Sequence, residues 1–273
     1  MGKTLGSSQL GTFNFGAFIK YQNLKRRLEM ASKKTEFDFM AIGAHPDDVE
    51  LFCGGTILKL IQEGKQGVIV DVTDGKAGTR GDANIRQREA QKASKVLGIT
   101  ERVNLGLEDT AVKNNRSSQL ALVEVIRKYR PRVIITHWKE DEHPDHRATC
   151  HLVQDSSYLG GLEKLECAGR PFRPKRIFYF PGNGQGTPSF CVDISKQWKL
   201  KIKAIQCYSS QFFGKKVEEF KGKSDLATPE FLQSIELRFR HYGSRIRRGY
   251  AEPFLCDEIP EVNDITELGE KRF

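Results

Sequence analysis

From residue 37 onward, short apolar runs alternate with longer amphipathic ones, and this alternation narrows the fold before any motif is considered. Phe37–Gly43, Gly67–Thr73, Arg102–Leu105, Arg132–Thr136 and Arg176–Phe180 read as strands. In the second of them Val68, Ile69, Val70 and Val72 are almost continuously apolar, the pattern of a strand covered on both faces. Phe52–Glu63, Ala83–Leu97, Ser117–Tyr129, His146–Leu159 and Ser195–Cys207 read as helices. Gly64 and Gly98 stand where the first two helices should stop, a serine opens the third as its N-cap, and Pro131 ends it. Repeated β-α units of this kind imply an α/β fold, with a mostly parallel sheet and helices on both faces. Ligands of such sheets bind beyond the carboxyl ends of the strands, so chemically active residues should follow strands directly.

A chain of 273 residues can hold one large domain or two small ones. Residues 1–36, first rich in Gly, Ser and Thr and then basic, are expected to be a flexible N-terminal extension, and residues 37–273 a single domain. The stretches 181–189 and 215–229 are expected to be mobile loops, the first bordering a site. A hydrophobic content of 38% and a mean hydropathy of −0.51 suit a soluble globular protein. No run reaches the roughly 18 apolar residues of a membrane span, and no apolar segment near the start is followed by a small-residue cleavage site. A cytoplasmic protein with no membrane partner is therefore expected.

Cysteines stand at 53, 150, 167, 191, 207 and 256 with no C-x-x-C pair, and they read as reduced packing residues. The net charge of +9 raises the question of nucleic acid. The densest basic cluster, Arg238, Arg240, Arg245, Arg247 and Arg248, lacks the aromatic interleaving of a single-strand stacking platform. A basic surface or a site for an anionic metabolite is the preferred reading.

Two segments carry chemistry. The first strand runs into Ala44-His45-Pro46-Asp47-Asp48-Val49-Glu50, and the strand ending at Thr136 leads to Glu142-His143-Pro144-Asp145-His146. Each places His-Pro-Asp at a sheet's carboxyl edge just before a helix, where proline fits the first turn. Residues three apart in such a turn face one way, so His45 can meet Asp48 and His143 can meet His146. A catalytic zinc takes three His or carboxylate ligands and keeps one position open for water, whose pKa it lowers to about 7. Hydrolysis then needs a carboxylate to take the water's proton and an acid or cation to help the leaving amine depart. The two segments supply residues for all of these roles. Spacing leaves open whether Asp47 or Asp48, and whether His143 or His146, is the ligand. Either segment alone could be an ordinary turn, since Pro-Asp favours turns and Asp caps helices; both together, each after a buried strand, point to a site.

Residues 37–255 resemble the LmbE/PIG-L family of zinc-dependent N-deacetylases. The resemblance rests on Gly43-Ala44-His45-Pro46-Asp47-Asp48-Val49-Glu50, Cys53-Gly54-Gly55-Thr56 and His143-Pro144-Asp145-His146. It implies a Rossmann-like sheet and one zinc per chain held by His45, Asp48 and His146. Asp47 would be the general base. His143 would be a general acid or the cation beside the tetrahedral oxyanion, and Asp145 would hold His143 in orientation. Ferrous iron would also suit a two-His, one-carboxylate set.

Within the family, the chain resembles the bacillithiol-pathway deacetylases, which hydrolyse N-acetylglucosaminyl-malate. Further support comes from Thr73-Asp74-Gly75 with Gly78-Thr79-Arg80-Gly81, Ile85-Arg86-Gln87-Arg88-Glu89-Ala90, Cys207-Tyr208-Ser209-Ser210-Gln211-Phe212 and Gly249-Tyr250-Ala251-Glu252-Pro253-Phe254. By that similarity Arg86 binds substrate, and Tyr208 hydrogen-bonds the substrate or the oxyanion. Gln211 of the same segment is a further contact, and Arg80 is the second arginine able to grip a sugar hydroxyl or a malate carboxylate. Several relatives form hexamers, so a homo-oligomer acting on a small amino-sugar is expected. Some relatives carry a tyrosine where Asp141 stands here, which leaves Tyr208 as the oxyanion helper.

His137 ends a strand near the site and is read as a buried or capping residue. His151 should face away and His241 should meet solvent. Cys53 and Cys150 are read as packing, and Glu50 as a neighbour of the site or a favourable charge at a helix start. A nucleotide-binding module is the competing class, but its first turn should read G-x-G-x-x-G, where this chain has Gly43-Ala44-His45-Pro46-Asp47-Asp48.

Overall fold

Five parallel strands in the order β3-β2-β1-β4-β5 form the central sheet of the protein. They are β1 (Phe39–Gly43), β2 (Gly67–Thr73), β3 (Glu101–Leu107), β4 (Val133–His137) and β5 (Arg176–Phe180). The helices joining them are α1 (Asp48–Gln62), α2 (Ala83–Leu97), α3 (Arg116–Tyr129) and α4 (Pro144–Gly160). After β5 come β6 (Phe190–Asp193), α5 (Trp198–Ile205), the short α6 (Ser209–Phe212), α7 (Pro229–Arg245) and β7 (Ala251–Phe254). β6 and β7 pair antiparallel, and a Tyr179–Leu255 bridge joins this ribbon to β5. The computed structural model describes residues 36–78, 82–182, 186–212, 229–259 and 261. The chain divides into two units, 1–36 and 37–273, and all the elements above belong to the second.

β1 shows why both faces must be covered. All five of its residues are buried; Phe39 and Ala41 enter one core cluster while Met40 and Ile42 enter the other. Successive strand side chains point to opposite faces, so an unbroken apolar run needs helices on both sides. α1, α2, α5 and α7 supply Val49, Cys53, Leu97, Ile205 and Phe239 to the first cluster. α3 and α4 supply Leu122, Ile126, Leu152 and Val153 to the second. The strand order reverses between β1 and β4, which pair directly, so a crevice opens at their carboxyl ends.

α1 begins at Asp48, one turn earlier than the apolar pattern suggested, and is buried continuously from Asp48 to Leu58. Its polar first turn is hidden by the cluster around it rather than by apolar neighbours. α4 likewise starts earlier, at Pro144, with His143 as its N-cap. α3 is capped by Asn115, whose side chain accepts from the Ser118 N–H, and not by the expected serine. α7, β6 and β7 were not anticipated.

A fully buried ion pair braces α1 from behind. Glu252 of β7 accepts the Gly55 and Thr56 N–H groups at 2.8 and 2.6 Å and the Lys201 ammonium at 2.6 Å. Lys201 also donates to the Leu51 carbonyl at 2.7 Å and lies 3.9 Å over the Phe239 ring. Gly55 lets α1 pack closely against Ile194, whose side chain a Cβ there would press into. Among the described residues no helix is long and apolar enough to cross a membrane.

Candidate metal centre

The two His-Pro-Asp segments meet at the switch point between β1 and β4. The first leaves β1 through Ala44, and the Asp48 carboxylate folds back to accept the His45 N–H at 2.7 Å. That hydrogen bond fixes the turn and sets Asp48 Oδ2 3.5 Å from His45 Nδ1. From the second segment, His146 brings Nε2 to 3.4 Å from Asp48 Oδ1. Donor atoms converge within 4.8 Å in three overlapping sets: His45, His143 and His146; Asp48, His137 and His146; His45, Asp109 and Asp145. His45 and His146, two of the trio expected to hold a metal, each belong to two of these sets and Asp48 to one, while no one set holds all three.

The charges around the centre favour a cation. Burial opposes a charge on His45, but Asp109, Asp145 and Asp48 outweigh it and hold the imidazole well above its usual range. His146 is raised to about 9, burial again being outweighed, here by Asp48 and Asp141. Asp48 is held well below the carboxylate range, as His146 and His137 overcome its own burial. Buried carboxylates that draw protons onto imidazoles will exchange those protons for a divalent ion, which competes for the same lone pairs. The donor set, imidazole nitrogens with a carboxylate, therefore fits a transition metal such as zinc.

Asp47 lies beside this centre in an unusual conformation, with φ 120°. A non-glycine residue held there costs on the order of 1–3 kcal/mol, a strain typical of functional sites. Arg86 pins the turn: its Nη2 donates to the Pro46 carbonyl at 2.6 Å and lies 3.4 Å from Asp47 Oδ2. Burial raises the Asp47 carboxyl to about 7, with Arg86 opposing and Asp48 assisting. His143 Nδ1 accepts the Asp145 N–H at 3.2 Å, which places the proton of the neutral ring on Nε2. Burial, His45 and His146 lower its pKa and favour that neutral form.

Several expected contacts lie elsewhere. Tyr208 is fully buried and donates to Glu50 Oε1 at 3.0 Å, so it does not reach the pocket where an oxyanion would form. Glu50 is held in turn by Arg102, which also grips both oxygens of Asp71. The Asp145 carboxylate faces His45 Nε2 at 3.3 Å and accepts the Thr110 and Val112 N–H groups, and only its backbone touches His143. Arg80 lies outside the described residues. Arg86 and Gln211 both line the pocket, which has a volume of about 470 Å³. His151 and His241 are exposed, and Cys53 and Cys150 are buried.

The site also contains residues to which sequence reasoning assigned no role in its chemistry. Asp109, just past β3, lies 3.2 Å from His45 Nε2. α7 forms the far wall with Phe231, Ile235, Arg238 and Phe239. His137, fully buried, accepts the Ala44 N–H on Nε2 at 3.0 Å and stands 3.1 Å from Asp48 Oδ2. Burial and His146 lower His137 to about 4, which keeps it neutral. Asp109 follows β3, so the carboxyl-edge rule was the signal that could have found it; His137 ends β4 and is the buried residue near the site that the sequence suggested.

Comparison with known proteins agrees with this geometry. The profile of the PIG-L family, described as GlcNAc-PI de-N-acetylase, matches residues 40–157, a span that includes both His-Pro-Asp segments. The diacetylchitobiose deacetylase of Thermococcus kodakarensis is 31% identical over 198 residues, covering 63% of this chain and 69% of that protein. A probable N-acetyl-α-D-glucosaminyl L-malate deacetylase of Bacillus anthracis is 26% identical over 223 residues, covering 74% and 93%. The crystal structure of a conserved protein of Thermus thermophilus superposes with a TM-score of 0.75 at 34% identity, covering 83% of this chain and 98% of that one. The chain belongs to the LmbE/PIG-L family of deacetylases, a family of hydrolases.

Proposed function

We propose that this protein is a zinc-dependent N-deacetylase that releases acetate from an N-acetylglucosamine conjugate. The observation that carries the reading is the meeting of both His-Pro-Asp segments at one crevice, where donor atoms of His45, His143 and His146 lie within 4.8 Å of one another and Asp48 Oδ1 lies 3.4 Å from His146 Nε2. His45, Asp48 and His146 are the ligands we assign. A cation held there supplies Lewis-acid polarisation of the amide carbonyl and a lowered pKa for water.

The protein's own groups do the rest. Asp47 takes the proton of the attacking water and later passes it to the leaving amine; its burial keeps its proton affinity suited to both steps. His143 presents Nε2–H to the oxyanion that develops on the acetyl carbonyl. Arg86 holds the Asp47 turn through the Pro46 carbonyl and offers its remaining N–H groups to the pocket. Leu51, Phe52 and the α7 wall limit water around the reacting amide.

The substrate follows the relatives. Similarity to the diacetylchitobiose deacetylase supports a chitooligosaccharide, whereas similarity along most of the malate deacetylase supports N-acetylglucosaminyl-malate. Arg86 and Arg238, both lining the pocket, favour a substrate with an anionic group, so N-acetylglucosaminyl-malate is our first choice. The test is acetate release from a panel holding N-acetylglucosaminyl-malate, diacetylchitobiose and N-acetylglucosamine. Turnover of the malate conjugate above the others is expected. Preference for diacetylchitobiose would move the substrate while keeping the chemistry, and no release from any would refute the reading.

A further inference from the structure

His146 can serve a metal only through the nitrogen that faces Asp48, which is Nε2 at 3.4 Å. An imidazole that ligates through Nε2 carries its proton on Nδ1, and that proton needs an acceptor. Asp141 stands there, with Oδ1 3.1 Å from His146 Nδ1 and no exposed side-chain surface. The contact has ion-pair distance without hydrogen-bond alignment, and both His146 Nδ1 and Asp141 Oδ2 are left without a hydrogen-bond partner. A small rotation of the ring on capturing a cation would align it.

The surroundings hold this carboxylate in place. Asp141 Oδ1 accepts the His143 N–H at 2.9 Å, which ties it to the start of α4. On its other side lies Gly182, at φ 59°, where an added Cβ would overlap Asp141 Oδ2. Arg238 of α7 donates to the Gly182 carbonyl at 2.8 Å and keeps that backbone against the carboxylate.

We propose that Asp141 is a positioning residue for metal capture: its carboxylate fixes the His146 proton on Nδ1 and so presents Nε2 to the cation. This rests on the metal-dependent reading above. It also gives Asp141 a use that the oxyanion-helper comparison with tyrosine did not suggest.

The test is zinc affinity by competition against a chelator, measured on metal-stripped wild type, D141N, D141L and G182A, each checked for folding by circular dichroism. D141N and D141L should bind zinc about 10–100-fold more weakly, the usual effect of losing such an outer partner. G182A, which displaces the carboxylate without removing it, should weaken binding in the same direction. Folded D141N and D141L that bind zinc within about twofold of wild type would overturn the proposal. If the Asp141 variants do not fold, nitrogen NMR of zinc-loaded wild type labelled at histidine decides. A proton on His146 Nδ1 supports the proposal, and one on Nε2 overturns it. Wild type that binds no zinc would defeat the underlying metal reading, an outcome separate from equal binding by wild type and variants.

Discussion

Glu252→Gln should destabilise the fold by about 4 kcal/mol near pH 7.5, and the size follows from the Lys201 ammonium it leaves behind. Among the described residues Glu252 is the carboxylate that meets that ammonium, and both side chains have no exposed surface. Without it Lys201 must either stay charged in an apolar site or lose its proton on folding. Burial already lowers its pKa, with Glu252 opposing. Deprotonation sets the ceiling: from a lysine's ordinary 10.5 to about 7.5 is about three units at about 1.4 kcal/mol each. That agrees with the roughly 3–5 kcal/mol for breaking a buried pair from one side. In a domain of this size it lowers Tm by roughly 8–16 °C.

The penalty must also depend on pH in one direction. In the variant the folded lysine is neutral while the unfolded one is protonated, so the unfolded state binds the extra proton and stability rises with pH. The gap between variant and wild type should therefore close by about 1.4 kcal/mol per unit toward alkaline pH. The double change Lys201→Met with Glu252→Gln should cost less than the sum of the single ones. Urea denaturation of the four proteins at several pH values reads all of this. A variant within about 0.5 kcal/mol of wild type, or a gap that does not change with pH, would refute the reasoning.

Two further changes separate catalysis from structure. Tyr208→Phe removes a buried hydrogen bond to Glu50 and should cost about 1–3 kcal/mol in denaturation while KM and kcat stay within about twofold; a large kinetic defect with unchanged stability would return Tyr208 to the oxyanion. Asp47→Asn should lower kcat by about 10²–10⁴ yet keep the metal, and near wild-type turnover would end its assignment as base. Because burial raises Asp47 to about 7, the metal-free fold binds a proton there that the unfolded chain releases above about pH 4, so stability falls between those values. Metal-free Asp47→Asn should consequently melt above wild type near pH 8, and an equal or lower Tm would contradict the burial argument.

How far the sequence could be read depended on whether the signal was local. β1 and β2 declare themselves because each is apolar along its length, and the two His-Pro-Asp segments declare themselves because they follow such strands. β7 does not: its Ala-Glu-Pro-Phe sequence carries a charge and a proline and no apolar run, and Glu252 becomes a buried strand residue only through Lys201 and the α1 amides. α7 hides its buried Ile235 and Phe239 among charged neighbours, and these matter only because they face the pocket. The apolar pattern of α1 begins only at Phe52 because Asp47, Asp48 and Glu50 are polar, yet long-range partners bury all three. Similarity pointed Tyr208 toward the substrate, but its direction depended on Glu50, a contact separated by 158 positions.

The central claim is that His45, Asp48 and His146 hold the metal on which deacetylation depends. The most direct measurement is bound metal by elemental analysis, together with acetate release, for wild type and for His45→Ala, Asp48→Ala and His146→Ala after stripping and zinc restoration. Wild type should take up about one zinc and regain turnover, while each variant folds but binds zinc weakly and stays inactive. Variants that hold zinc and turn over like wild type would contradict the ligand assignment, and a wild type active after complete removal of metal would contradict the claim itself.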